Sequence, residues 1–122
     1  MKHTDLVTIE ADRSRIGLIK QAALVISHGQ LDVIKECIYY EVPQIVFPRK
    51  REEIRHAMLV EYHQLGISKQ VELIVEEDFR EDIQYVMNDA RIQNSIADMG
   101  TIFRQKEEMN EAVGILNALL KA

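Results

Sequence analysis

Over its first half the chain alternates short apolar runs rich in β-branched residues with longer amphipathic ones. Leu6 to Ile9, Leu24 to Ser27 and Ile45 to Phe47 have the pattern of buried strands, the last bracketed by Pro43 and Pro48. Between them, Arg13 to Gln21 and Leu31 to Tyr40 have helical periodicity, with Leu31, Ile34, Cys37 and Ile38 on one face of the second. Strands joined by helices favour a parallel sheet with helices on its faces, because parallel neighbours need a crossover. After Pro48 a charged loop, RKREE, leads into a helix with Ile54, Met58, Tyr62 and Leu65 at helical spacing, and Gly66 is expected to end it. The segment from Ile67 to Val75 is ambiguous, with room for one short edge strand. Beyond it the pattern is wholly helical, over Glu77 to Asn88, Ala90 to Lys106 and Glu108 to Lys121. In the last of these, Met109, Ala112, Val113, Leu116, Leu119 and Leu120 make an apolar stripe. It is read as a packing face, since the opposite side is acidic and mixed rather than basic.

The expected architecture is therefore α/β: one partial domain over residues 1–122, with an α/β portion over 1–75 and a helical tail over 76–122. A sheet of three parallel strands is small and leaves its edges open, so the pattern implies part of a larger fold or an edge that pairs with a partner. At 122 residues and 14.1 kDa there is room for one modest core. No segment approaches the roughly 20 apolar residues of a membrane span. A net charge of −5 and a pI of 5.4 argue against a long phosphate-backbone footprint, so nucleic acid is not an expected partner. The single Cys37 admits no internal disulfide, and MKHTDLVTIEADRS has no apolar signal core, so the cytoplasm is the expected compartment. No metal site or cofactor is expected. His56 and His63 lack partners at ligand spacing, EEDFRED lacks the glycine of a calcium loop, and Cys37 sits on an apolar face as a structural thiol.

Candidate chemistry concentrates in SHGQLDVIKE, residues 27–36, where a strand gives way to a helix. In open parallel sheets, ligands collect beyond the carboxyl ends of strands, where helix N-termini present amides and partial positive charge to anions. Gly29 allows close backbone approach, and His28 can donate to a phosphate oxygen or act as an acid or base near neutral pH. Glu36 on the following helix is a candidate acceptor for ribose hydroxyls. The same residues also fit a plain turn at Gly29 with Asp32 capping the helix.

The order of HG, a glutamate eight residues after the histidine, VP, an apolar strand, a second proline, an acidic pair and a helix followed by LG resembles the donor-binding half of nucleotide-sugar glycosyltransferases of the UDP-glucuronosyltransferase and macrolide glycosyltransferase type. The family run is HGGxN(S/T)xxE followed by GVPxxxxPxxxDQxxNAxxVxxxGxG, and the similarity covers about Leu18 to Gly66. The resemblance implies two facing Rossmann-like domains (GT-B) and a UDP-sugar donor. It implies that His28 and Gly29 meet the diphosphate, that Glu36 holds the ribose, and that Glu52 and Glu53 hold the transferred sugar.

Departures from the family pattern cluster at the ligand. Gln30 replaces the second glycine, Asp32 the asparagine, Val33 the serine or threonine, Glu41 the glycine before VP, Glu53 the glutamine and His56 the following asparagine. Asp32 repels phosphate and Val33 offers no hydroxyl. Arg49, Lys50, Arg51 and Arg55 lie just beyond the third strand, either as replacement anion contacts or as a solvated loop paired with Glu52 and Glu53. By the family's measure the acceptor domain and the first donor-domain strands are missing, so the isolated chain is expected to be inactive. The expected partners are a nucleotide-sugar donor, a missing acceptor-binding domain or partner chain, and a second copy in a homo-oligomer. Two functions stay open: the donor-binding portion of a hexosyltransferase, or a non-catalytic, degenerate module for protein interaction.

Overall fold

The computed structural model describes residues 6–8 and 16–121, with side-chain surroundings for 19–120. Ile9, Arg13 and the N-terminal segment lie outside the described residues. The element order is β1 Leu6–Thr8, α1 Ile16–Gln21, β2 Leu24–Ser27, α2 Leu31–Tyr39, β3 Gln44–Val46, α3 Arg51–Tyr62, β4 Gly66–Ser68, a 3-10 turn Val71–Leu73, α4 Glu76–Asn88 and α5 Ala90–Lys121. The strands form one parallel sheet in the order β1-β2-β3-β4. Leu6 lies opposite Leu24, Val25 opposite Gln44, and Ile45 opposite Ile67. The sheet thus has one strand more than the three expected, formed where the ambiguous segment begins.

Alternation along the strands divides the core between two faces. On one, Val25 packs with Ile19 of α1 and with Val33 and Cys37 of α2, and Val46 packs with Ile34 and Ile38 of α2 and Ala57 and Val60 of α3. On the other, Leu24, Ile26, Ile45, Phe47 and Ile67 meet Phe79, Ile83 and Val86 of α4. The start of α5 seals both layers, because Ile92 joins the second core and Ile96 the first. Both sheet faces are therefore covered, as a parallel sheet requires.

Three expectations are corrected. Gly66 does not end α3; it opens β4, where a β-carbon would lie 1.9 Å from the Gln44 carbonyl oxygen, so close strand approach explains the glycine. The left-handed residue after α3 is Gln64, at φ 56°. Ile54, Met58 and Tyr62 do not face the core: they are 49, 63 and 80 % exposed, while Glu53, Ala57 and Val60 turn inward. Finally, the two terminal helices are one, α5, of 32 residues, about 48 Å long at 1.5 Å per residue.

Arg104 clamps α5 onto α2. Its guanidinium donates to the Tyr39 carbonyl at 2.7 Å and pairs with the Glu41 carboxylate. Glu41 stands at φ 59°, in the left-handed region that suits the glycine of the family pattern better than a residue with a β-carbon. The Arg104 pair accompanies that strain. Asp89 starts α5 by accepting from the amides of Arg91 and Ile92 at 2.8 and 3.1 Å.

Gln44 is fully buried, and neither polar atom of its side chain has a partner among the described residues. A buried amide without hydrogen bonds is destabilising, and an apolar residue of similar volume removes the penalty. Gln44→Met is expected to raise unfolding free energy by about 1 kcal/mol in urea titrations; a loss of stability would show that the amide is satisfied.

Candidate functional site

The site grows from the carboxyl ends of β2 and β3. The Phe47 amide donates to the Ser27 carbonyl at 2.8 Å, extending the ladder by one step. The Phe47 carbonyl in turn accepts from His28 Nδ1 at 3.0 Å. Gly29 follows at φ 98°, and a β-carbon there would sit 2.9 Å from Val46 Cγ1 and 3.4 Å from the Glu53 carbonyl oxygen. Only glycine fits both the backbone and the space. Its amide donates to Ser27 Oγ at 3.2 Å, and its carbonyl accepts from His56 Nδ1 at 2.7 Å. The loop is thereby tied to β2, β3 and α3 at once.

These bonds set the histidine tautomers. A backbone carbonyl only accepts, so Nδ1 carries the proton in both His28 and His56. In each ring Nε2 is the atom this bond leaves over.

At the start of α2, Gln30 has an ordinary extended backbone, φ −65° and ψ 136°, so no second glycine is needed for the turn. Asp32 Oδ1 accepts from the Val33 amide at 2.9 Å, while the Val33 side chain is buried against β2 and α1. A carboxylate of the chain itself thus takes a first-turn amide of the kind that binds anions at helix N-termini.

Across the loop, Glu53 at the third position of α3 is buried. Its carboxylate accepts from the amides of Arg49 and Lys50 at 2.8 and 3.2 Å and from the Arg49 guanidinium at 3.3 Å. Burial raises its pKa, but the Arg49 and Lys50 bonds outweigh it and hold the group below the ordinary value of about 4.5. Arg49 is half exposed and paired with Glu53. Lys50, Arg51, Glu52 and Arg55 are exposed.

The structure thus joins Gly29 and Glu53 through contact at the start of α3, sets His28 beside them on Phe47, and leaves Glu52 exposed next to Glu53. Glu36, on α2, lines an open groove between α2 and α5 together with Lys35, Tyr39, Tyr40, Phe103 and Glu107. His56 is the residue that sequence reasoning missed, having been weighed only as a metal ligand and as a departure from the family pattern. Its one signal was its position at the family asparagine, close to the start of α3.

No family model matches the chain. Among curated proteins it is 26 % identical over 88 residues to "Putative UDP-glucuronosyltransferase ugt-50" of Caenorhabditis elegans, covering 72 % of the chain and 17 % of that protein. Among solved structures it superposes on the glycotransferase of kitacinnamycin with a TM-score of 0.75 at 15 % identity, covering 86 % of this chain and 27 % of that one. It superposes on the spinosyn forosaminyltransferase SpnP at 0.73 and 17 %, covering 96 and 34 %. The calicheamicin glycosyltransferase CalG4 gives 0.68 and 17 %, covering 84 and 29 %. The chain has the fold of one part of a GT-B glycosyltransferase. It spans about a third or less of the length of these relatives, so the rest of that architecture is not in this sequence.

A depressed carboxylate pKa contributes stability that is present above the unfolded-state value and lost as pH falls through the folded one. Glu53→Gln is expected to cost about 1–3 kcal/mol near neutral pH. The gap from the parent chain should close as pH falls below about 4.5, as read from urea midpoints. A gap that persists undiminished in acid would show that Glu53 acts through packing instead.

Proposed function

We propose that the chain is the donor-side portion of a nucleotide-sugar glycosyltransferase, with a site for the diphosphate of a UDP-sugar at the Ser27–Gly29 loop. The observation that carries this reading is the loop itself, fixed on three elements next to the N-terminus of α2, with His28 Nε2 left over by its carbonyl bond. In this reading His28 meets the diphosphate through Nε2, Gly29 allows its approach, and Glu36 holds the ribose. Glu52 reaches a sugar hydroxyl, while Glu53 contributes chiefly by holding Arg49 and Lys50 in place. Transfer would be direct displacement at the anomeric carbon by an acceptor hydroxyl. The acceptor and its base belong to a further domain or chain, so the isolated polypeptide is inactive.

A second reading, a non-catalytic interaction module that keeps the fold, is favoured by one observation: Asp32 occupies the Val33 amide and places negative charge where phosphate would bind.

Calorimetric titration with UDP and UDP-glucose separates the two. The donor reading predicts weak binding that tightens about tenfold in Asp32→Asn, where a repulsive charge is removed. It also predicts loss of binding in His28→Ala and Glu36→Ala. Absence of binding in both the parent and Asp32→Asn chains would reject the donor site in favour of the module.

A further inference from the structure

The final turns of α5 are out of place for a packing element. From Gln105 to Leu120 every residue is exposed, and Gly114 has nothing within 4 Å of where a β-carbon would sit. Yet Met109, Val113, Leu116 and Leu120 are 64, 46, 57 and 82 % exposed along one face. An isolated helix of this length is marginal in water, so an apolar stripe held this way needs a cover.

The spacing says what kind. Met99, Ile102, Lys106, Met109, Val113, Leu116 and Leu120 follow one another at intervals of three and four, an unbroken alternation of heptad core positions. The flanking positions over the free segment are Gln105, Asn110, Ala112, Asn117 and Leu119, with no charge among them. Glu107, Glu108 and Glu111 fall outside the seam. An identical helix therefore meets no repulsion along the flanks, and the acidic surface stays in solvent.

Lys106 selects the orientation. In a parallel pair it would face its own copy in the seam, two like charges at close range. In an antiparallel pair Val113 packs on Leu116 of the second copy, and Met109 on Leu120. Asn110 then flanks Asn117, small Ala112 flanks Leu119, and Lys106 falls past the end of the opposing helix. That arrangement also sets the two globular bodies at opposite ends.

We propose that the free end of α5 is a homodimerisation element that pairs antiparallel with α5 of a second copy of this chain. The contact is isologous, and each apolar residue is used twice. The outer face of α3 is the competing surface, but Ile54, Met58 and Tyr62 are interspersed with Arg51 and Arg55, and α3 is already anchored through its inner side.

The full chain is expected to sediment at twice 14.1 kDa at concentrations of about 50 μM. Leu116→Glu puts two charges in the seam and is expected to weaken association by about 100-fold or more, with an unchanged far-ultraviolet spectrum. Gly114→Ala, outside the seam, should leave the dimer intact. Orientation is read with a short bismaleimide: Met109→Cys and Leu120→Cys chains should cross-link when mixed, and neither with itself. A monomer at every concentration overturns the proposal and leaves the stripe for a different protein. Self-cross-linking of either variant overturns the antiparallel pairing, and a dimer indifferent to Leu116→Glu places the interface elsewhere.

Discussion

The junction at the carboxyl ends of β2 and β3 turns on the absence of a β-carbon at Gly29. The backbone there is left-handed and lies so close to Val46 and to the start of α3 that no other residue fits. Because the loop can pass through that gap, Ser27 closes on the Gly29 amide, His56 reaches the Gly29 carbonyl, and His28 lies along the Phe47 carbonyl. Three elements far apart in sequence thereby share one rigid junction. The Glu53 carboxylate extends it by fixing the turn after β3. Ser27, His28, Glu53 and His56 each have a partner in this network, which is what lets such a junction stay ordered.

The same junction explains why the site reads as both built and compromised. The loop lies where anion sites form in parallel sheets, at the carboxyl ends of the strands and beside a helix N-terminus. The groups that would receive the anion are changed: Val33 is turned into the core, and Asp32 supplies a carboxylate to its amide. The frame and the occupant are separable, because the bonds that fix the frame come from Ser27, His28, Gly29, Glu53 and His56. A chain can keep the first while altering the second.

Much of this was legible in the sequence. β2 was placed to the residue, and α2 and β3 nearly so, because β-branched runs and paired prolines mark such boundaries directly. β4 was only suspected, since three residues inside a charged and apolar mixture carry no period of their own; their strand geometry comes from pairing with β3. The stripe on α3 misled because Ala57, a small residue with a weak hydrophobic signal, marks the buried side, while Ile54 and Met58 face out. Glu53 was assigned to the transferred sugar by the family resemblance, whereas its bonds to Arg49 and Lys50 depend on a turn that no periodicity reveals. His56 was overlooked for the same reason: its partner, Gly29, is 27 residues away.

The hold of two imidazoles on the loop through Nδ1 is open to direct measurement. Long-range proton–nitrogen correlation spectra of the 15N-labelled chain at about pH 8 report the tautomer of each histidine. His28 and His56 are both expected to carry their proton on Nδ1, with Nε2 showing the shift of an unprotonated nitrogen. Protons on Nε2 in either ring would contradict it, because the carbonyls of Phe47 and Gly29 would then lose their donors and the loop its anchors.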